Sequence, residues 1–290
     1  MNLIKKKNIF FTISALFILP SLLALGVWGL KPSIDFTGGS HLDIAIIGED
    51  ISVQTIETIA YEYYEVQQVK VIDEAQYSLV GAEINNETKE QVLQALAELG
   101  SVSEIKFETV GPVLGKELIQ KTIYAILLVA IVMVLYVWKQ FKELKYGVCA
   151  ILGMFHDSII LLGAFSFFGH YLNVEVDVLF VTALLTTLSL SIHDTIVIYD
   201  RIRELSSKHR RVDYPQLTNL AILETLVRSV NNSLTLIFML LAVVLLGGMT
   251  MRWFAVALLI GAISGTYSST FIAVPLLVVW DELKAKSSQR

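Results

Sequence analysis

Asp157 and Asp194 lie inside long apolar runs, in the stretches "HDSIILLG" and "SIHDTIVIYDRIRE". Each follows a histidine, His156 and His193 respectively. Ionisable side chains in such runs are costly, and they face a bundle interior or a water-filled path. Desolvation disfavours the charged form of a carboxylate, and a neighbouring arginine favours it. A carboxylate poised between those influences can load and release a proton, which is what coupling motion to an ion gradient requires. On the helix carrying Asp194, Thr187, Ser191 and Thr195 fall at spacings of three and four and share its face. In "RSVNNSLT", Arg228, Asn231 or Asn232, and Thr235 repeat that spacing. Two structural alternatives stand beside this reading. Asp194 can pair with Arg228 or with a helix end, and His156 with Asp157 can form a hydrogen-bonded pair that guides helix docking.

Two histidines and two aspartates also raise the idea of a metal site or an intramembrane aspartyl protease. Adjacent residues on a helix point about 100° apart rather than converging. The chain contains no HExxH pattern. The expectation is therefore no metal, no cofactor and no catalytic residue.

The elements that must hold these residues are membrane helices. Of the 290 residues, 54% are hydrophobic. Six uncharged or nearly uncharged runs, roughly 9–30, 122–138, 146–169, 178–199, 229–251 and 253–280, suit the length of about 20 residues that spans a bilayer. The first follows Lys5, Lys6 and Lys7 and reads as a retained anchor, being too long for a typical signal core. Basic residues gather in the N-terminus, in "KQFKELK", in 200–228 and in the tail at Lys284, Lys286 and Arg290. "HYLNVEVD" has none and "GGMTMRW" only Arg252. By the positive-inside rule both termini are cytoplasmic. Within the cytoplasmic loop 200–228, "YPQLTNLAILETLV" reads as an amphipathic helix on the membrane surface. At the end of the helix before it, Arg201 and Arg203 suit the helix dipole, and Asp200 and Glu204 need partners other than each other. Cys149 is a lone cysteine and reads as a small core residue.

Residues 31–120 form the one sizeable polar segment. Residues 31–118 carry 16 acidic and 5 basic side chains, so the net charge of −5 averages an acidic outer segment with a basic inner face. Nucleic-acid binding is not expected, and the inner basic residues suit anionic lipid headgroups. "SHLDIAIIG" reads as a strand, "SVQTIETIAYEYY" as a helix capped by Ser52, "VQQVKVID" and "QYSLVGAEI" as strands. "NNETKEQVLQALAELG" reads as a helix capped by Asn85 or Asn86, and "VSEIKFETV" as a last strand. The order β-α-β-β-α-β is the ferredoxin-like split pattern. The fold class expected is an α-helical polytopic membrane protein with six transmembrane helices. A ferredoxin-like α+β extracytoplasmic domain sits between helices 1 and 2. The divisions are 1–30, 31–120 and 121–290. In the last span, Gly261, Gly265 and Ser268 or Ser269 form a small-residue face that permits close helix approach.

Five stretches carry a resemblance. "DFTGGS" at 35–40, "VGPVLGKEL" at 110–118, "HDSIILLG", "SIHDTIVIYDRIRE" and "IGAISGTYSSTFIA" resemble, in order, motifs of the SecD/SecF family of protein-export membrane proteins, which belongs to the RND-type superfamily. The resemblance covers essentially the whole chain. It implies a bacterial cytoplasmic (inner) membrane protein that joins a SecD subunit beside the Sec translocon (SecYEG) and its accessory membrane subunits. There it would use the proton-motive force in late stages of export of unfolded polypeptide. By motif position it implies that Asp194 carries the proton, that Arg228 is linked to the same relay and that Asp157 is the aspartate of the family's HD pair. Asp35, Gly38 and Gly39 match the DFTGG motif. His193 stands where the family usually has Asn, Ser189-Leu190 replaces a usual Gly-Tyr, and "VNNS" replaces a Thr-Ser pattern. An RND-type small-molecule exporter subunit and a purely structural translocon scaffold are the competing readings.

Overall fold

The computed structural model describes residues 2–48, 51–73, 75–209 and 211–288. Arg210 and Arg290, two of the basic residues invoked for orientation, lie outside the described residues. The chain divides into two units, residues 32–124 and the remainder, 1–31 with 125–290.

Helix α1 (Lys7–Val27) belongs to the larger unit, and the smaller unit begins with the short helix α2 (Ile34–Thr37), capped by Ser33, whose side chain accepts from the Asp35 amide. Strands β1 (Gly39–Ile47), β2 (Val66–Asp73), β3 (Gln76–Gly81) and β4 (Ser101–Val110) follow, with helices α3 (Val53–Tyr61) after β1 and α4 (Asn86–Leu96) after β3. The strands form an antiparallel sheet in the order β2-β3-β1-β4. This is the split arrangement expected from the element order. Period-two alternation turns Leu42, Ile44 and Ile46 of β1 inward, where they meet Leu79, Ile56, Ala60, Val92 and Leu96. Each buried branched side chain contributes on the order of 1.5–3 kcal/mol. The caps are local: Ser52 accepts from the Thr55 amide, and Asn85 from the Thr88 amide. Gly38 and Gly39 have φ of 76° and 129°, where a side chain is strained. A Cβ on Gly38 would lie 2.8 Å from Pro112 Cα, and one on Gly39 would lie 2.5 Å from the Gly81 carbonyl oxygen.

The larger unit is helical. Its helices are α1 (Lys7–Val27), the later part of α5 (Pro112–Phe141), α6 (Leu144–Leu172), α7 (Val178–Lys208), α8 (Tyr214–Leu246), α9 (Met249–Ser268) and α10 (Val274–Ser288). Among the described residues, six helical stretches are long and apolar enough to cross a membrane, α9 and α10 counting as one. The core gathers Tyr146, Cys149, Met154, Ile192, Tyr199 and Leu277 from α6, α7 and α10. α5 differs: its most apolar stretch is 0% buried, against 67% for the last span, so this chain leaves it uncovered.

The region 200–228 departs from expectation. Among its described residues there is no separate surface helix. α7 runs on to Lys208, and 214–228 is the first half of α8. No Gly or Pro interrupts 178–208, and Pro215 sits in the first turn of α8, where its missing N–H costs nothing. Side-chain pairs brace the two extensions. Arg201 meets Glu224 at 2.6 Å and also Glu204, Lys208 reaches Glu204 at 2.6 Å, and Arg203 reaches Asp200 at 2.8 Å. Between α9 and α10 the backbone widens into a π-type turn at Ser269–Ala273. The fully buried Tyr199 hydroxyl donates there to the Ala273 carbonyl at 3.1 Å.

Candidate functional site

α7 positions most of the site. Its N-terminus is capped by Asp177, whose Oδ1 accepts from the Phe180 amide at 2.7 Å. One face packs against α9 at unusually short range. A Cβ on Gly261 would lie 1.9 Å from Thr187 Cγ2, and one on Gly265 would lie 3.3 Å from Ser191 Cα. Glycines at these two positions let the helix backbones approach.

Asp194 is half-buried between α7 and α8. Ser229 donates its hydroxyl to Asp194 Oδ2 at 3.1 Å. Beside it is a cavity of ≈ 250 Å³ lined by His193, Asp194, Asn232, Ser233, Gly261, Gly265 and Thr266, with apolar neighbours. A polar string continues from it: Ser233 donates to the Ser229 carbonyl at 3.0 Å, and Thr266 Oγ1 on α9 lies 2.7 Å from Ser233 Oγ. A wider groove of ≈ 740 Å³ holds Asp194, His193, Glu224, Arg228, Ser229 and Asn231. A third, of ≈ 600 Å³, continues through Arg228 and Glu224 to Asp200, Arg201 and Glu204. Polar side chains therefore line a path from Asp194 along α7 and α8 to their charged ends.

Arg228 shares the groove with Asp194, yet the two form no ion pair among the described residues. The pairing considered from sequence is absent. Arg228, Asn231 and Thr235 are exposed on α8, and Ser229 and Ser233 are the buried residues turned toward α7 and α9. Ser229 and Ser233 were missed because serine in an apolar helix carries little signal on its own. Their spacing of four, offset by one residue from Arg228, is what could have marked a second polar face.

Asp157 occupies a different place. It is 2% exposed, and neither the cavity nor the groove beside Asp194 is lined by it. Ser264 donates to its Oδ1 at 2.5 Å, and Ser191 and Ser268 each donate to its Oδ2 at 2.6 Å. His156 Nδ1 lies 3.0 Å from Oδ1, and His156 Nε2 lies 2.9 Å from Ser14 Oγ. The His156 ring thus bridges Asp157 on α6 to Ser14 on α1 through its two nitrogens. Residues from α6, α7 and α9 meet at one carboxylate, and Ser14 of α1 joins through His156. The structure therefore does not bring all four expected relay residues together: His193, Asp194 and Arg228 share the groove, and Asp157 stands apart. Among the described residues, no group of three His, Cys, Asp or Glu side chains could hold a metal ion.

A family model described as the C-terminal part of the protein export membrane proteins SecD/SecF matches residues 88–283. The protein translocase subunit SecF of Anaerolinea thermophila is 36% identical, with 97% of this chain and 94% of that protein aligned. The subunit SecF of a Synechocystis strain is 34% identical, with the same shares aligned. Among solved structures, the crystal structure of SecDF from Thermus thermophilus, a translocon-associated membrane protein, superposes with a TM-score of 0.85 at 30% identity. The match covers 97% of this chain and 39% of that one, so this chain spans well under half of the solved SecDF polypeptide. Matches over nearly the full length, together with the membrane helices and the split α+β unit, lead to one conclusion: the chain belongs to the SecD/SecF family of protein export membrane proteins.

Proposed function

We propose that this chain is the SecF-type subunit of a SecD–SecF complex that uses an ion gradient to promote late stages of Sec-dependent protein export. In this reading it lies in the bacterial cytoplasmic membrane with both termini inside. It works with a SecD subunit beside the SecYEG translocon, and its 32–124 unit meets emerging unfolded polypeptide. Membrane lipid and the partner's helices cover what this chain leaves exposed, α5 above all. It is not an enzyme in this reading.

The observation that carries the proposal is the setting of Asp194. It is a titratable group inside a membrane helix, hydrogen-bonded by the Ser229 hydroxyl with Ser233 close by, open to a cavity and a groove, and sharing that groove with Arg228 without an ion pair. A carboxylate held by hydroxyls rather than by an ion pair can exchange partners when its proton leaves, with Arg228 available to the charged form and Ser229 to either. His193 lines both the cavity and the groove and sits beside the path. A membrane potential supplies about 2.3 kcal/mol per charge for each 100 mV, which biases a two-state movement roughly 50-fold.

The test is gradient-dependent export of a secretory protein into inverted vesicles, comparing wild type with Asp194→Asn. The substitution is nearly isosteric and removes the titratable proton. Loss of the gradient-dependent part, with the SecD complex still assembled, is the expected result. Retention of full gradient dependence would overturn the coupling role and leave the scaffold reading. Replacing the proton gradient by a sodium gradient in the same vesicles identifies the ion.

A further inference from the structure

Asp157 is surrounded by donors, three hydroxyls and the His156 ring, while Asp194 takes its direct hydrogen bond from Ser229 at a longer 3.1 Å. Three hydroxyls reach the Asp157 carboxylate at 2.5–2.6 Å, the range of charge-assisted O–H···O bonds. Such bonds are short, directional and costly to leave unmade in a buried site. Two of the three, from Ser264 and Ser268, belong to α9, one turn apart. The third comes from Ser191 on α7. The carboxylate on α6 therefore clamps α7 to α9 at the level where Gly265 faces the Ser191 backbone.

That level matters for Asp194. Ser191 and Asp194 are three residues apart on one helix, about 60° apart around its axis. Fixing the rotation of α7 at Ser191 fixes the direction in which Asp194 points. Gly261 and Gly265 contribute no side chains of their own to the α7–α9 contact, so the Asp157 carboxylate is a polar tie between the two helices at this level. A turn of α7 by about 20° would move a carboxylate several ångströms off the axis by about 2 Å. That displacement is enough to break the 3.1 Å bond from Ser229.

We propose that Asp157 is the positioning residue for Asp194: by holding Ser191 against Ser264 and Ser268, it sets the rotation of α7 that turns Asp194 toward Ser229. The proposal rests on Asp194 being the coupling carboxylate, and it gives Asp157 a role distinct from carrying the proton. Geometry rather than charge is required of Asp157. Asparagine can meet the same partners: Oδ1 still accepts from Ser264 and His156, and the amide N–H groups donate to Ser191 and Ser268 with those hydroxyls reversed.

The experiment follows the modification of Asp194 by dicyclohexylcarbodiimide, which reacts with protonated carboxyl groups in apolar surroundings. The chain is assembled with its SecD partner in liposomes, and labelling is read peptide by peptide by mass spectrometry across a pH series. Ser191→Ala removes one hydroxyl and leaves the other donors to Asp157, so it serves if Asp157→Ala fails to fold. The expected result is that Ser191→Ala and Asp157→Ala change the Asp194 labelling rate at a fixed pH by about fivefold, the equivalent of one hydrogen bond. Asp157→Asn is expected to keep the wild-type profile and gradient-dependent export. An unchanged profile in Ser191→Ala would overturn the proposal. So would an Asp157→Asn profile displaced as far as that of Asp157→Ala, since the charge of Asp157 would then be what matters. The labelling does not depend on export. If Asp194→Asn leaves export intact, the coupling role falls while the orientation result still stands or falls by itself.

Discussion

A Cβ on Gly261 would lie 1.9 Å from Thr187 Cγ2 and 2.5 Å from Thr187 Cβ, so α9 passes α7 at a distance that only glycine allows. Gly261→Ala must force the helices apart or push Thr187 off its rotamer. Overpacking of this kind costs about 1–3 kcal/mol. The same contact lines the cavity beside Asp194, so the displacement should be felt there as well. The expected outcome is faster thermal inactivation of detergent-solubilised protein and reduced gradient-dependent export. Thr187→Ser in the same chain removes the nearer carbon and should restore part of both losses. No recovery in the double variant would mean that Gly261 is needed for some other reason.

Arg228 carries a fixed positive charge into the groove shared with Asp194, without an ion pair to hold it there. If the charged form of Asp194 uses this guanidinium during the cycle, a neutral residue of similar reach should block the cycle without unfolding the bundle. Arg228→Gln is expected to reduce gradient-dependent export about tenfold or more, the effect of losing a charge-assisted bond of about 1.5–3 kcal/mol. Assembly with SecD should persist, because Arg228 is exposed on α8 and contributes little to this chain's core. Arg228→Lys keeps the charge and should recover a measurable fraction. Equal export in wild type and Arg228→Gln would remove Arg228 from the relay.

Tyr199 is fully buried, and its hydroxyl donates to Ala273 in the π-type turn. Turns of this type leave backbone carbonyls without their usual helical partner and mark functional positions in many helices. Tyr199→Phe removes the donor and the bond to the Ala273 carbonyl, at a cost of about 0.5–1.5 kcal/mol. The change should lower the inactivation temperature and speed hydrogen exchange at the amides after Ala273. Unaltered exchange there would show that the turn is held by its packing alone.

The 32–124 unit was legible because its signals are local. Period-two alternation in "HLDIAII" and the side-chain caps Ser52 and Asn85 each act within a few residues. Membrane helices were legible as apolar runs, and Asp194 stood out as a charge within one. The length of α7 beyond Tyr199 was hidden, since a charged helix extension and a charged loop have similar composition. The setting of Asp157 was hidden for a different reason. Its serine donors lie 34, 107 and 111 positions away in sequence, and serine is common in apolar helices. Only the fold shows that Ser191, whose face was read as belonging to Asp194, spends its hydroxyl on Asp157.

In the 32–124 unit, Asp43 on β1 is set against its own neighbours. Burial raises its pKa, but the His41, Ser78 and Lys106 side chains around it outweigh burial and leave it below the ordinary aspartate value of 3.8. His41 Nε2 lies 2.9 Å from Asp43 Oδ1 and 2.6 Å from Ser78 Oγ. A carboxylate with a depressed folded pKa adds stability above its unfolded pKa and loses it as pH falls through the folded value. The contribution of Asp43 is thus complete at neutral pH and disappears below pH 3.8. Asp43→Asn should lower stability at neutral pH and have a shrinking effect as the solution is acidified through that window. Amide exchange of β1 and β3 in the full chain, pulsed at several pH values, measures this directly. A difference between wild type and Asp43→Asn that stays constant from neutral pH to well below 3.8 would show that Asp43 acts through shape rather than charge.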